Sequence, residues 1–565
     1  MHGPDLAVLT AYFATMIGVG FAYSRQMKSL DLYFGGGKEL SWWLGGISFL
    51  MAYVSALSIV VYAGLGYRYG LVALSLYWTT VPGTLLTTWL FARRWRRAGV
   101  LTPMEFLETR FSSLVRQLFV WSGIPLRVID EGLKIVAIGI FVSAGLKISP
   151  ATAMLAVGLI TLLYTVAGGL WGVVITVFVQ FVLVCAAVFM LVPLAWRAAG
   201  GWSHFISAIP PDFLRPAHAP YTWEYIGAFL IFSGLSLAGN WSLIQRFYCA
   251  RNDREAYGVG MFASLLFLLL PPLWIFTGIF ARAFIPFQRL DPQTIYARVS
   301  VALLPPGMLG LLIAALFAAT MSVLSSGYNV IAAVLTVDVH QRLIHPKATQ
   351  RELVVVGRLL TAFVALIPLA IALVVTYFHW TIFDTMVAAF AFFLPPTVLP
   401  VLAGLISRRL STGGALAGFA AGIGMGLAFL AYKWIFKPAN LGSYQAASLA
   451  IPTAITTLVL VVAAYAFPAR GEAGERASAF FDRLTRPAIS TAASDVSPGP
   501  VAGLVIGLMG LVLCVIGSGL LTARAYTLTL GTGGMLVVIG GIMMRSRFFP
   551  RRFQSLKTEK RILTK

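Results

Sequence analysis

Polar positions are sparse along this chain, and hydrophobic positions come in runs. Apolar stretches of roughly 20 residues recur from end to end, each long enough to cross about 30 Å of hydrocarbon as a helix. They are too long and too uniformly apolar for the alternating strands of a membrane barrel. Fifteen spans are predicted, beginning near roughly residues 4, 41, 70, 115, 150, 173, 221, 256, 306, 353, 380, 412, 448, 500 and 526. The expected fold class is an all-α polytopic membrane protein with about 15 transmembrane helices.

Several spans carry residues that interrupt helices. The second has Gly45 and Gly46, then Ser55, Ala56 and Ser58 around Tyr53. The seventh has Gly234, Ser236, Gly239 and Asn240, and the eleventh has Pro395, Pro396 and Pro400. Small residues also serve close packing between membrane helices, and GIGMG at Gly422–Gly426 is read that way. Two interrupted spans five apart suggest more. Inverted-repeat transporters put discontinuous helices at matching places in two five-helix halves, with the substrate between them.

The stretch FAATMSVLSSGYNVIAAVLTVDVHQRL, Phe317–Leu343, is apolar yet rich in oxygen. On a helix Ala315, Ala319, Ser322 and Ser326 make one narrow face, with Ala318, Ser325 and Asn329 beside it. Back-bonding of hydroxyls to the preceding turn accounts for one or two of them. A dehydrated alkali cation would use the stripe, because it needs several neutral oxygens. In the fourth span, PLRVIDEGLKIVAIG places Arg127, Asp130, Glu131 and Lys134 three and four residues apart. They form either a self-neutralised structural cluster or a substrate or proton site.

Composition agrees with the pattern: 59% of residues are hydrophobic, 11% are charged, and mean hydropathy is +0.86. A net charge of +22 would suggest nucleic acid in a soluble protein. Here position explains it. With the N-terminus outside and the C-terminus cytoplasmic, about 29 of the 42 Lys+Arg fall on the cytoplasmic side, as membrane insertion favours. The charge then serves topology and contact with anionic lipid, which makes the bilayer one expected partner and the small-molecule solute suggested by the interrupted spans another, with no nucleic acid and no obligatory protein partner evident. The longest polar stretch, about 468–500, contains ARGEAGERASAFFDRLTRPA, with Phe480, Phe481 and Leu484 on one side of a helical pattern. It reads equally as a helix at the cytoplasmic surface or as a linker. The first span lacks a basic leader and a cleavage site and is read as a retained helix. Cys185, Cys249 and Cys514 have no metal spacing. HExxH, GxxxxGK[ST] and GxSxG are absent, so an enzyme is the poorer hypothesis and no cofactor is expected.

Seven segments, in order over roughly residues 30–440, together resemble the sodium:solute symporter family. They are GGKELSWWLGGIS from Gly36, SALSIVVYAGLGYRYG from Ser55, LTPMEFLETRF from Leu101, YTVAGGLWGVVITVFVQ from Tyr164, GNWSLIQRFYCARNDREA from Gly239, the Phe317–Leu343 stretch, and LSTGGALAGFAAGIGMG from Leu410. The resemblance implies a leucine-transporter-like (LeuT) core of two inverted five-helix repeats. The expected organisation is a leading helix and first cytoplasmic loop in 1–40, the ten-helix core in 41–410, and four more helices with the 468–500 loop and a basic tail in 411–565. It implies a secondary active cation:solute symporter in the plasma membrane, moving a sugar, sugar acid or organic acid by alternating access. The alternatives are a sodium-independent transporter, proton-coupled or facilitative, and a non-transporting sensor of the same fold.

Carried over by motif, a sodium site would use carbonyls of Met51, Val54 and Ala319 and the side chain of Ser322. The family commonly has a second hydroxyl where this chain has Val323, and often an Asp where it has Val177, so the site is incomplete at both positions. Solute-facing positions would be Ser55, Ser58, Arg127, Asn240 and Trp241. A helix-borne Arg could clamp a carboxylate, and a sugar would want hydroxyl and amide partners with an aromatic platform.

Overall fold

The computed structural model describes residues 3–24, 40–100, 103–168, 171–287, 291–438, 440–486, 499–518 and 523–545. Among these the regular structure is helical, apart from two isolated bridges, Leu40–Ala250 and His218–Tyr221. Eight of the described helices are long and apolar enough to cross a membrane, or up to eleven if each of three sharply bent pairs counts as one span. Segments this apolar become helices because a chain in hydrocarbon must satisfy its own backbone groups. The basic tail beyond Arg545, and most of the 468–500 loop after Arg486, lie outside the described residues.

In chain order, the helices that build the site are α1 (Gly3–Ser24), α2 (Trp42–Tyr53), α3 (Ala56–Tyr69), α4 (Arg93–Ala98), α5 (Pro103–Arg110) and α6 (Ser113–Leu146). They continue with α7 (Trp223–Gly239), α8 (Trp241–Tyr248), α9 (Met308–Val334), α10 (Gln350–Tyr377), α11 (Ile382–Ile406), α12 (Thr412–Phe436), α13 (Leu441–Ala466) and α14 (Gly471–Thr485). The span containing α9 is 94% buried, far more than its peers, so this helix runs through the middle of the bundle. Helices α1, α6 and α10 pack around it. Asp5 of α1 fixes its start by accepting from the backbone N–H of Gly307 (2.7 Å) and Gly310 (3.1 Å). A carboxylate on the free N–H groups of a helix start is stabilising through both hydrogen bonds and the helix dipole.

Two spans are broken. Helices α2 and α3 meet at 67°, and α7 and α8 at 56°. The first break falls at Val54 and Ser55, both extended, with φ −81° and −137°. The second falls at Asn240, extended at φ −75°, ψ 114°. Its side-chain oxygen accepts from the N–H of Ser242 (3.0 Å) and Leu243 (3.4 Å), capping α8. Asn suits this position because a short amide reaches the free donors of the next turn.

The third suspected interruption does not occur. Pro395, Pro396 and Pro400 all lie inside one continuous helix, α11. Membrane helices tolerate proline where their neighbours compensate for the lost bonds and shape. Gly422 of α12 comes against Pro396, and a Cβ there would lie 2.7 Å from the proline ring. Gly426 likewise meets Phe392, so GIGMG is a packing seam between α11 and α12.

Between the alternatives for the polar loop, its described part is helical: α14 packs on α4 and α5. Ala477, Phe480 and Leu484 are buried, and Phe480 meets Phe106 at 5.2 Å between centroids. Arg97 donates to the Leu484 carbonyl (3.1 Å) and Arg476 to that of Phe111 (3.0 Å). Below it, Arg110 is buried and donates to the carbonyls of Gly404, Ser407 and Leu410 at the end of α11. Burial pulls its pKa down to about 10, so it remains a cation at neutral pH and these are charge-assisted bonds.

Candidate functional site

A cavity of about 100 Å³ lies between the two broken spans. Ala52, in the last turn of α2, lines it from the first of these spans, and Gly239, Asn240 and Trp241 line it from the break in the second. Helix α6 contributes Arg127, Asp130, Glu131 and Lys134, while Val323 and Gly327 come from α9 and Thr397 from α11. The charged residues divide into two groups. Lys134 donates to Asp130 (2.7 Å) and to Glu131 (3.2 Å), so one ammonium holds both carboxylates. The Arg127 guanidinium instead lies over the Trp241 ring, 4.4 Å from its centroid. That contact is a cation–π interaction, strong where water is excluded. The four side chains carry formal charges that sum to zero, which lets them sit at membrane depth.

Arg127, Asn240 and Trp241, three of the solute positions expected from the sequence, therefore come together. Ser55 and Ser58 lie apart from this cavity, in the buried start of α3. The Ser58 hydroxyl donates to the Tyr53 carbonyl (3.4 Å). The Ser55 hydroxyl is buried with no hydrogen-bond partner among the described residues. Such groups are uncommon in folded proteins, because an unmatched buried hydroxyl costs about 1–3 kcal/mol.

The expected cation positions are all buried. Met51 and Val54 end α2, where the carbonyls of the last turn lack helical partners. Their side chains border a small apolar pocket with Cys185 and Trp274. Ala319 and Ser322 lie mid-way along α9, and Ser325 donates to the Ser322 carbonyl (3.1 Å), as back-bonding hydroxyls do. Val177 is buried too. Ser326 has no described side chain.

One residue that ties the two elements together was not among the predicted positions. Thr320 of α9 accepts from the N–H of Ala56, the first residue of α3 (3.0 Å), while donating to the Leu316 carbonyl (2.8 Å). It thus pins the broken second span to the central helix. Thr320, Val323 and Gly327 fall at i, i+3 and i+7, a face distinct from the hydroxyl stripe. The signal available was a threonine one residue past Ala319, with nothing to say which face would meet the break.

The model of the sodium:solute symporter family matches residues 33–422 of this chain. Among curated proteins, the chain is 27% identical over 481 residues to human (Homo sapiens) sodium/glucose cotransporter 4, covering 76% of this chain and 69% of that protein. It is 28% identical over 476 residues to the sodium/glucose cotransporter of Vibrio parahaemolyticus, covering 77% and 86%. A sodium/myo-inositol cotransporter 2 from Mus musculus is 26% identical over 521 residues, covering 82% and 76%. Among solved structures, the substrate-bound outward-open state of a Na+-coupled sialic acid symporter superposes with a TM-score of 0.68 at 20% identity, covering 83% of this chain and 99% of that one. A nucleobase-cation-symport-1 family transporter in a closed conformation matches with a TM-score of 0.51 at 13% identity. At these identities the structural likeness speaks to the fold.

Proposed function

Because this chain belongs to the sodium:solute symporter family, we propose that it is a cation:solute symporter whose solute binds in the cavity between the two broken spans. The observation that carries this is the meeting of Ala52, Asn240 and Trp241 with Arg127 around one cavity. Breaks in membrane helices expose backbone groups and helix ends, and these bind ions and polar solutes at the midplane. Alternating access would open the cavity to each side in turn. The sodium gradient and the membrane potential would drive it, the latter contributing about 2.3 kcal/mol per charge per 100 mV.

The fifteen-span count and the two inverted five-helix repeats belong to this reading, supported by breaks in the second and seventh predicted spans. So do the plasma membrane and the cytoplasmic C-terminus, supported by the distribution of basic residues. Sodium would sit at the first break, held by carbonyls of Met51, Val54 and Ala319 and by Ser322. The unpartnered Ser55 hydroxyl supports a polar occupant there. Ser55 and Ser58 would face the solute from that side.

Arg127 decides our choice of solute. Lys134 already holds both carboxylates, and the described partner of Arg127 is an aromatic face. The guanidinium edge could take a carboxylate in bidentate fashion. We therefore favour a sugar acid or other organic acid over a neutral sugar. The test is uptake into proteoliposomes of sialic acid, glucose and myo-inositol, with and without an inward sodium gradient. Sodium-dependent uptake of the acid, lost in Arg127→Ala, is expected. Uptake of glucose alone would overturn the acid reading, and uptake without a sodium effect would overturn sodium symport.

A second reading, proton coupling, rests on one observation. Val323 lines the cavity in place of a hydroxyl, and Glu131 faces it with Asp130 and Lys134. A carboxylate pair sharing one ammonium can take up a proton when that ammonium moves away. A pH gradient driving uptake in the absence of sodium, abolished by Glu131→Gln, would select it.

A further inference from the structure

One cluster lies outside the cavity. A π-helical segment, Leu335–Ile344, extends α9 and carries His340, and His345 follows at its end. Glu352 lies in the first turn of α10, where Thr349 caps the helix by accepting from the Glu352 N–H (3.3 Å). The connecting loop is tightly drawn: the N–H of His345 bonds to the His340 carbonyl (2.7 Å), and that of Ala348 to the His345 carbonyl (3.0 Å). As a result both imidazoles reach the same carboxylate oxygen. His340 Nε2 lies 3.0 Å from Glu352 Oε1, and His345 Nδ1 lies 2.8 Å from it.

The geometry points to a binding site for a divalent transition metal of the zinc class, made by His340 Nε2, His345 Nδ1 and a Glu352 carboxylate oxygen. These three atoms all lie within 4.8 Å of one another. Tetrahedral zinc, with bonds of about 2.0–2.2 Å, wants ligand atoms about 3.3 Å apart. Each imidazole nitrogen therefore has to move only a few tenths of an ångström from the carboxylate oxygen, and the two nitrogens, within 4.8 Å of each other, settle to the same spacing. The donor set is also selective. Two imidazoles and one carboxylate suit zinc, nickel and copper, whereas magnesium and calcium prefer oxygen alone. Each neutral imidazole presents a lone pair at the named nitrogen once its proton is on the other one. His345 is 52% exposed and Glu352 33%, which leaves water or a further ligand room to complete the coordination. The ion would join the end of the central helix to the start of the next span. The nearest relation to transport is therefore mechanical: a clip across the α9–α10 turn.

The test uses the purified full-length protein with any affinity tag removed. Zinc is titrated in competition with a chromophoric chelator, and thermal stability is followed in parallel. One tightly bound zinc is expected, with a rise in melting temperature that magnesium does not reproduce. His340→Ala and His345→Ala should each weaken zinc at least about tenfold, the scale on which perturbing a metal site acts. Glu352→Gln, which keeps an acceptor for the imidazoles and so preserves the fold, should weaken it too. His379→Ala, just past the opposite end of α10, should bind as the parent does. Unchanged zinc affinity in the His340→Ala/His345→Ala double variant, or no zinc uptake by the parent protein, overturns the assignment.

Discussion

Thr320 shows how much can rest on one hydroxyl in a membrane bundle. It supplies the partner for the first backbone N–H of α3, a donor that otherwise would be orphaned in a buried site. Thr320→Val keeps the shape and removes the acceptor. A loss of about 1–3 kcal/mol is expected, read as a lower melting temperature in detergent, with transport reduced because the break loses its anchor. Thr320→Ser should restore both, and a Thr320→Val protein as stable as its parent would contradict this account. Ser322 is different, since it is proposed to act on the ion. Ser322→Ala should raise the sodium concentration needed for half-maximal uptake while leaving the melting temperature without sodium near that of the parent. An unchanged sodium response would remove Ser322 from the site. At Arg127, Lys is a poor substitute, because an ammonium offers neither a planar stack on Trp241 nor a two-pronged grip on a carboxylate. Arg127→Lys should therefore lose most acid uptake, as judged by initial rates.

Among elements, the breaks and the packing seams do opposite jobs. The second break brings Asn240 and Trp241 to the cavity, and the seams set how closely the surrounding helices approach one another. The α11–α12 seam is tight. A methyl at Gly422 would meet the Pro396 ring and its backbone at 2.7–2.9 Å, where nothing flexible can give way. Gly422→Ala should force the helices apart at a cost of about 1–3 kcal/mol, measurable as a fall in melting temperature. Gly424, two residues on, meets nothing within 4 Å, so Gly424→Ala is the matched control and should be neutral. Equal behaviour of the two variants would show that the seam is looser than its geometry. The interruptions were legible as small and polar residues within apolar runs, yet the same signal flagged α11, which runs straight through three prolines. Sequence shows where a helix can break, and its neighbours decide where it does.

For the whole molecule, the excess of basic residues finds two uses. In the proposed orientation some of it sets topology, and some fastens α14. Arg97, Arg110, Arg408 and Arg476 tie α4, α5, α14 and the end of α11 together through carbonyls and Asp482. The proposed orientation puts this layer in the cytoplasm. In a background lacking Cys185, Cys249 and Cys514, Glu475→Cys should react with a membrane-impermeant maleimide only when the cytoplasmic face is open to it. Lys437→Cys, at the other end of α12, should react from outside the intact cell. The reverse pattern would invert the topology.

The sequence by itself determined the class of fold and the kind of function. Hydrophobic runs of membrane length leave little but helices, because a backbone in lipid has no water to bond to. An ordered series of motifs then pointed to a symporter family, which the family match established. Arg127 and Asn240 could also be singled out, since interrupted helices and ionisable groups at membrane depth stand out against an apolar background, and Trp241 came with the family motif. Tertiary structure alone decided which of these residues meet. It put Arg127 on Trp241, gave Ala56 to Thr320, and set His340 and His345 on one oxygen of Glu352, whereas the pairing of Lys134 with Asp130 and Glu131 was already implicit in their helical spacing. Helical periodicity fixes which residues share a face, but the rotation of that face toward a partner depends on packing between helices, whether across a short turn or across the whole bundle.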